Sequence, residues 1–254
     1  MDITDSIRRL EHVAALGWPA PDTQAMGGWL LRAAGGWTGR ANSVLPLGEP
    51  DRPLEAALTA VRQWYAERGL PTRFQVPLPL CTELDTALHS RGWRAYNPTL
   101  VRVASTDRVL TMPQDPQLPP ACLAPRPSQE WLGACHYRGG SDLPPVAVQV
   151  MTAAADPVFA SVIVDGVTAG IGRAVVDFDA TGRGWCGVTA LETAPQWRRR
   201  GIGLHIVRAL VGWAAGRGAT AIYLQVMEDN RAAHAMYDRL GFTTSHGYQY
   251  RTPP

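Results

Sequence analysis

The stretch of this 254-residue chain best suited to chemistry is PQWRRRGIG, Pro195 to Gly203. Glycine at 201 and 203 lets the backbone approach a ligand closely, because no Cβ intervenes. The residues that follow have helical periodicity, and the first-turn amides of that helix, around Ile202, Gly203 and Leu204, have no internal acceptors. They point at whatever precedes the helix, where the dipole favours an anion. Arg198, Arg199 and Arg200 add positive charge. The chemistry implied is capture of a pyrophosphate by backbone donors. The structural alternative is a plain strand-to-helix turn with a solvated arginine run. Hydrogen bonds to charged groups are worth roughly 1.5–3 kcal/mol each, so three or four approach the roughly 8 kcal/mol of a micromolar complex. The spacing is R-x-x-G-x-G and position 206 is Ile, so this is not the dinucleotide fingerprint G-x-G-x-x-G.

A second cluster follows. Asn230, Ala233 and Tyr237 are spaced three and four apart, so on a helix they share one face. Alanine leaves room for a slender ligand arm, and Tyr237 is placed to offer a hydroxyl at its end. The bland alternative for Tyr237 is an aromatic that packs helix on sheet.

Composition removes other chemistries. All 24 basic residues are Arg, which excludes Schiff-base lysine mechanisms and a Walker A loop. There is no G-x-S-x-G elbow, and Cys135 beside His136 reads as structural. Cys81, Cys122, Cys135 and Cys186 form no C-x-x-C pair, so no zinc or other metal site is expected and a reducing cytoplasm fits best. The net charge of +2 gives no global pull toward nucleic acid or membrane. No run of 18 apolar residues occurs, and MDITDSIRRL does not read as a signal peptide.

The elements that must position these residues are legible in the second half. FASVIVDG (159–166) is a β-branched run closed by Asp-Gly, a hairpin signal. Residues 167–179 and 184–194 read as further strands, the last ended by Pro195. Ile202, Ile206, Val207, Leu210, Val211 and Ala214 give 202–215 one buried helical stripe. Residues 220–228 read as a buried strand, 231–240 as a helix capped by Asn230, and the tail FTTSHGYQYR as a final strand. The expected fold class is α/β (α+β): a mixed twisted sheet flanked by helices.

The combination LETAPQWRRRGIG, then NRAAHAMYDRLGF beginning 27 residues after Gly203, resembles the two signature motifs of the GNAT superfamily of N-acetyltransferases. The resemblance covers about 119–254 and is strong from 185 to 251. It implies acetyl-CoA (coenzyme A) as donor. Leu191, Glu192 and Thr193 would pair by backbone with the pantetheine arm, Arg199 through Leu204 with Arg198 nearby would hold the pyrophosphate, and Asn230 and Ala233 would contact the arm. Tyr237 would protonate the departing thiolate. The reaction implied is direct attack of an amine on the thioester. The proton acceptor is left open: Gln225 stands where some relatives place Glu, and the candidates are Glu192, Glu228, His246 or a water.

The first half reads as a distant copy. WYAERG, FQV, LDTALHSRGW and LVRVA recur in order as WAAGRG, LQV, AHAMYDRLGF and YQYR; Trp64 and Trp213, and Arg102 and Arg251, lie 149 apart. The expected organisation is tandem GNAT-like domains: a degenerate one over 1–111, a Pro-rich connection over 112–127, and the acetyltransferase domain over 128–254. LPLGEPDRPLEAAL replaces the cofactor loop and Leu88 replaces Tyr237, so the first half is expected not to bind CoA. GWLLRAAGGWTGRANSV (28–44) could line an acceptor pocket. The acceptor is read as a small-molecule or peptide amine, with no nucleic-acid or membrane partner, and the chain as monomer or homodimer. The competing function is a non-catalytic acyl-CoA-binding regulatory module.

Overall fold

The computed structural model describes residues 2–136 and 143–254. The first half runs α1 (Ile3–Gly17), β1 (Asp22–Met26), β2 (Trp29–Ala33), β3 (Leu45–Pro46), α2 (Leu54–Ala66), β4 (Phe74–Leu78), α3 (Thr82–Ser90), β5 (Arg94–Ser105) and α4 (Thr106–Leu110). The remainder runs β6 (Cys122–Ala124), α5 (Gln129–Gly133), α6 (Pro145–Thr152), β7 (Pro157–Val164), β8 (Val167–Phe178), β9 (Gly184–Thr193), α7 (Ile202–Ala215), β10 (Ala219–Met227), α8 (Arg231–Arg239) and β11 (Thr243–Thr252).

The expected second-half elements form within a residue or two of their sequence bounds. Asp165 and Gly166, both with positive φ, make the turn of the β7–β8 hairpin. The stripe on α7 is buried against β7, β8 and β9. That helix sits close because Gly170 and Gly172 on β8 carry no side chain; a Cβ there would meet Ile202 and Ile206 at 2.7 Å. Among the elements that the sequence does not announce, two stand out. One is α1, amphipathic and capped by the Asp2 carboxylate, which accepts from the Thr4 amide at 3.1 Å. The other is β6, an edge strand inside the Pro-rich connection, paired with β7.

Two sheets form. One holds β1, β2 and β3; the other has eight strands in the order β4-β11-β5-β10-β9-β8-β7-β6. Only β9 and β10 are parallel among its pairs, so the sheet is mixed. Its centre shows how the halves join. Each half's last strand is exchanged: β5 of the first half lies beside β10, and β11 of the second lies beside β4. The exchange obeys the 149-residue offset. Arg251 on β11 donates to the Asp85 carboxylate on α3 at 2.9 Å and to the Trp93 carbonyl at 2.9 Å. Arg102 on β5 donates to Asp238 on α8 at 2.6 Å and to the Phe242 carbonyl at 2.6 Å. Trp93 and Phe242 are themselves 149 apart.

Candidate active site

The site is a fork in the sheet. β9 and β10 pair in parallel from Gly184 and Ala219 to Val188 and Leu224 and then part. A bulge drives the parting. On β8, Ile171 faces Glu192 and Arg173 faces Thr189, so Gly172 is opposed by both Ala190 and Leu191, with Ala190 at φ 49°. Beyond it Glu192 and Thr193 keep their β8 partners on one edge, and Leu191–Thr193 have no strand on the other among the described residues.

The loop at the mouth of the fork has the geometry its sequence suggests. A 3-10 turn over Pro195–Trp197 leads to Arg199 and Gly201, both at positive φ, and Gly201 is the N-cap of α7. No side chain caps the helix, and its first bond is donated by the His205 amide to the Gly201 carbonyl at 2.9 Å. The amides of Ile202, Gly203 and Leu204 precede any intrahelical acceptor. Gly203 borders Met236 on α8; a Cβ would meet the Met236 Sδ at 3.0 Å, so a side chain would narrow the cradle. Of the three arginines, Arg198 Nε donates back to the Thr193 carbonyl at 3.2 Å, and Arg200 lies over the Trp197 ring at 5.0 Å. The backbone donors, the αL glycine and the exposed arginines fit a pyrophosphate, and the open strand edge fits an extended amide-bearing arm.

On α8, the Asn230 side-chain oxygen accepts from the Ala233 amide at 3.1 Å, so that oxygen is committed to its own helix. Tyr237 is buried beside Phe242, with ring centroids 5.5 Å apart. Burial pushes its phenol up to about 12, against a smaller downward pull from Arg102. A phenol held protonated is a proton donor at neutral pH.

Glu192 faces the opposite side of the sheet from α7. Its Oε1 accepts from the His136 amide at 2.8 Å, and Oε2 lies 3.6 Å from His136 Nδ1. Burial raises its pKa, opposed by the bonds to His136. His136 therefore engages Glu192, while the Cys135 thiol beside it is buried and pushed up to about 12 by that burial. The other two sequence candidates lie elsewhere. His246 is buried and bonded to Glu11 at 2.8 Å, and Glu228 stands exposed just past β10.

Within 28–44 most groups serve the fold. Trp29 and Trp37 are buried, Arg32 is bonded to Ser43 and Gln75, and Asn42 closes its own loop. Arg40 is the exception. Its Nη1 donates to Gln225 on β10 at 2.9 Å, and its guanidinium lies over the Trp18 ring at 4.7 Å. The sequence reading marked the segment but not this residue.

Comparison with known proteins identifies the family. A family model described as probable histone acetyltransferase Rv0428c C-terminal matches residues 4–251. The chain belongs to that family, within the GNAT N-acetyltransferases. It is 32% identical to the probable histone acetyltransferase Rv0428c of Mycobacterium tuberculosis, covering 97% of this chain and 74% of the relative. It is 29% identical to the uncharacterized N-acetyltransferase YobR of Bacillus subtilis, covering 97% and 98%. Among solved structures, a GCN5-related N-acetyltransferase from Kribbella flavida superposes with a TM-score of 0.68 at 16% identity, covering 98% of this chain and 95% of that one. A tandem GNAT protein from the clavulanic acid pathway gives 0.60 at 16% identity, covering 96% and 86%.

Proposed function

We propose that this GNAT protein transfers an acetyl group from acetyl-CoA directly to a primary amine. The observation that carries the reading is the β9–β10 fork facing an uncapped α7 N-terminus with a positive-φ glycine. Acetyl-CoA would supply the acetyl group as a thioester. Ile202, Gly203 and Leu204 amides with Arg199 and Arg200 would hold its pyrophosphate, and the free edge of Leu191–Thr193 its arm.

The chain's own groups then manage two protons. Glu192, made more basic by burial, takes the proton that the amine nitrogen loses as its N–C bond to the acetyl carbon forms. Tyr237 would give its phenolic proton to the sulfur as the C–S bond breaks and regain one from solvent, to which Glu192 would release the one it took. An amine that arrives as ammonium releases one further proton to water. No covalent enzyme intermediate enters, consistent with the high pKa imposed by burial on Cys135 and Cys186. Residues 128–254 carry this chemistry, and 1–111 wall the acceptor side across the 112–127 connection. No helix among the described residues is long and apolar enough to cross a membrane. The four free cysteines fit a reducing cytoplasm.

Calorimetric titration with acetyl-CoA, with CoA as comparator, tests the reading. The expected result is saturable binding at one equivalent per chain and thiol release on adding an amine acceptor. Binding without release over a broad amine panel would favour a regulatory module, and no binding at hundreds of micromolar would overturn the donor assignment.

A further inference from the structure

The acceptor side of the fork carries opposite charges on its two lips. On the β9 lip, just past the bulge, stands Glu192 with His136. On the β10 lip Gln225 follows Leu224, the last residue paired to β9. Gln225 itself bears no charge, but its Oε1 accepts from Arg40 at 2.9 Å and from the Tyr248 hydroxyl at 3.4 Å. The charge on that lip therefore comes from the first half of the chain.

Arg40 is partly buried, and no carboxylate lies within ion-pair distance of it among the described residues. Its surroundings are Trp18 and Tyr223, Tyr248 and Tyr250. A second cation shares the Trp18 ring. Arg173 is fully buried and lies 5.2 Å from the same Trp18 ring. Its Nε and Nη1 hold the carbonyls of Met151 and Gly17, near the ends of α6 and α1, and Nη2 has no partner among the described residues. Asp177 also faces this region, but among the described residues it forms no ion pair with either guanidinium, and burial raises its pKa. Glu11, the other carboxylate acting on Tyr248, is committed to His246 and Gln75. Among the described residues no carboxylate therefore pairs with Arg40, which is pinned on one nitrogen and one ring face.

We propose that the acceptor is an amine that also carries a carboxylate, its nitrogen directed to Glu192 on the β9 lip and its carboxylate to Arg40 on the β10 lip. This rests on the acetyltransferase reading above and names its substrate class. Arg40 is then a specificity-determining residue lent by the degenerate half to the site in the other half. A guanidinium suits this role because its planar donors match a carboxylate and its face stacks on an indole. The same charges disfavour a lysine-rich peptide, whose neighbouring cations would face Arg40.

The test pairs ω-amino acids of increasing length (glycine, β-alanine, 4-aminobutyrate) with their carboxamides, and adds a lysine-rich peptide. Thiol release from acetyl-CoA is followed for wild type, Arg40→Met and Arg40→Lys. A charge-assisted contact predicts that the best acid exceeds its amide by about 10- to 100-fold in kcat/KM, mostly through KM. Arg40→Met should bring that ratio near one with acetyl-CoA affinity unchanged, and Arg40→Lys should restore part of it. Equal use of acid and amide, a preference that survives Arg40→Met, or the peptide as best acceptor would each overturn the proposal. Should no acceptor release thiol, the transferase reading fails by itself. Titrating the same pairs into CoA-saturated protein then decides the charge proposal, equal affinities overturning it.

Discussion

The molecule contains two forks among the described residues, and only one is followed by a glycine-arginine loop. In the second half β9 and β10 part beyond Val188 and Leu224. In the first half the chain entering β3 touches β4 through a single parallel bridge, Val44 to Phe74, and then leaves it. Phe74 and Tyr223 are related by the 149-residue offset, and Tyr223 is paired with Gly187. From Val44 to Leu54, at the start of α2, is 10 positions; from Gly187 to Gly203, the counterpart of Leu54, is 16. The first fork is therefore six residues shorter between strand and helix, where the second carries WRRRGI. A cavity of about 610 Å³ remains there, lined by Trp29, Pro46, Leu47, Pro53, Leu54 and Leu80 among others. A cleft can persist without that loop, because the strands and helices that make the cleft also make the core.

The sharpest way to break the comparison is at the paired helix positions Tyr237 and Leu88, both buried on equivalent helices. Tyr237→Phe should lower turnover by about 100-fold, the low end for a lost general acid, with acetyl-CoA affinity unchanged. Leu88→Phe should leave turnover as it is. Steady-state thiol release reads both, and an unaltered Tyr237→Phe enzyme would remove the acid role.

The next largest effect tests the exchange of last strands. Asp85 has its carboxylate held below the usual range, first by its bonds to Arg251 and then by Gln249. Arg251→Met leaves that carboxylate half-enclosed and the Trp93 carbonyl without its donor, and should cost about 3 kcal/mol in urea unfolding. Arg102→Met should cost about half as much, because its partner Asp238 is 64% exposed and water can replace the arginine. Equal losses would mean that the two crossings are energetically alike despite their different burial.

The sequence made individual elements legible and hid how they meet. The helix α7 is bounded to the residue by its apolar period and by the glycines around it, and the β7–β8 turn is written in Asp165-Gly166. The 149-residue repeat is visible as spelling. That β5 and β11 change places is not, because alternating burial fixes which face of a strand is inward and not which strand lies beside it. The bulge at Ala190, on which the fork depends, falls in TALET, where no glycine or proline marks a break. Arg40 meets Gln225 across 185 positions, a contact that only the folded sheet creates. The helix α1 was within reach, since Ile7, Leu10, Val13 and Ala14 keep helical spacing and are buried.

The smallest expected effect concerns the proton acceptor and is read from a pH profile. A base works when ionised, so turnover falls as pH drops through the pKa of Glu192. Burial places that acid limb above the ordinary glutamate position, because water is withdrawn from the charged form. His136 opposes the shift through its backbone N–H and its ring. His136→Ala keeps the backbone bond and removes the ring, so the limb should move slightly toward higher pH, with the rate at its alkaline plateau kept. Glu192→Gln should remove the limb and leave the profile to the acceptor's own amine. The degenerate fork has no such control: its loop carries Glu49, which is exposed, and Glu49→Gln should leave the profile where it was. A limb unmoved by Glu192→Gln would shift the proton to water and reduce Glu192 to an anchor for the His136 segment.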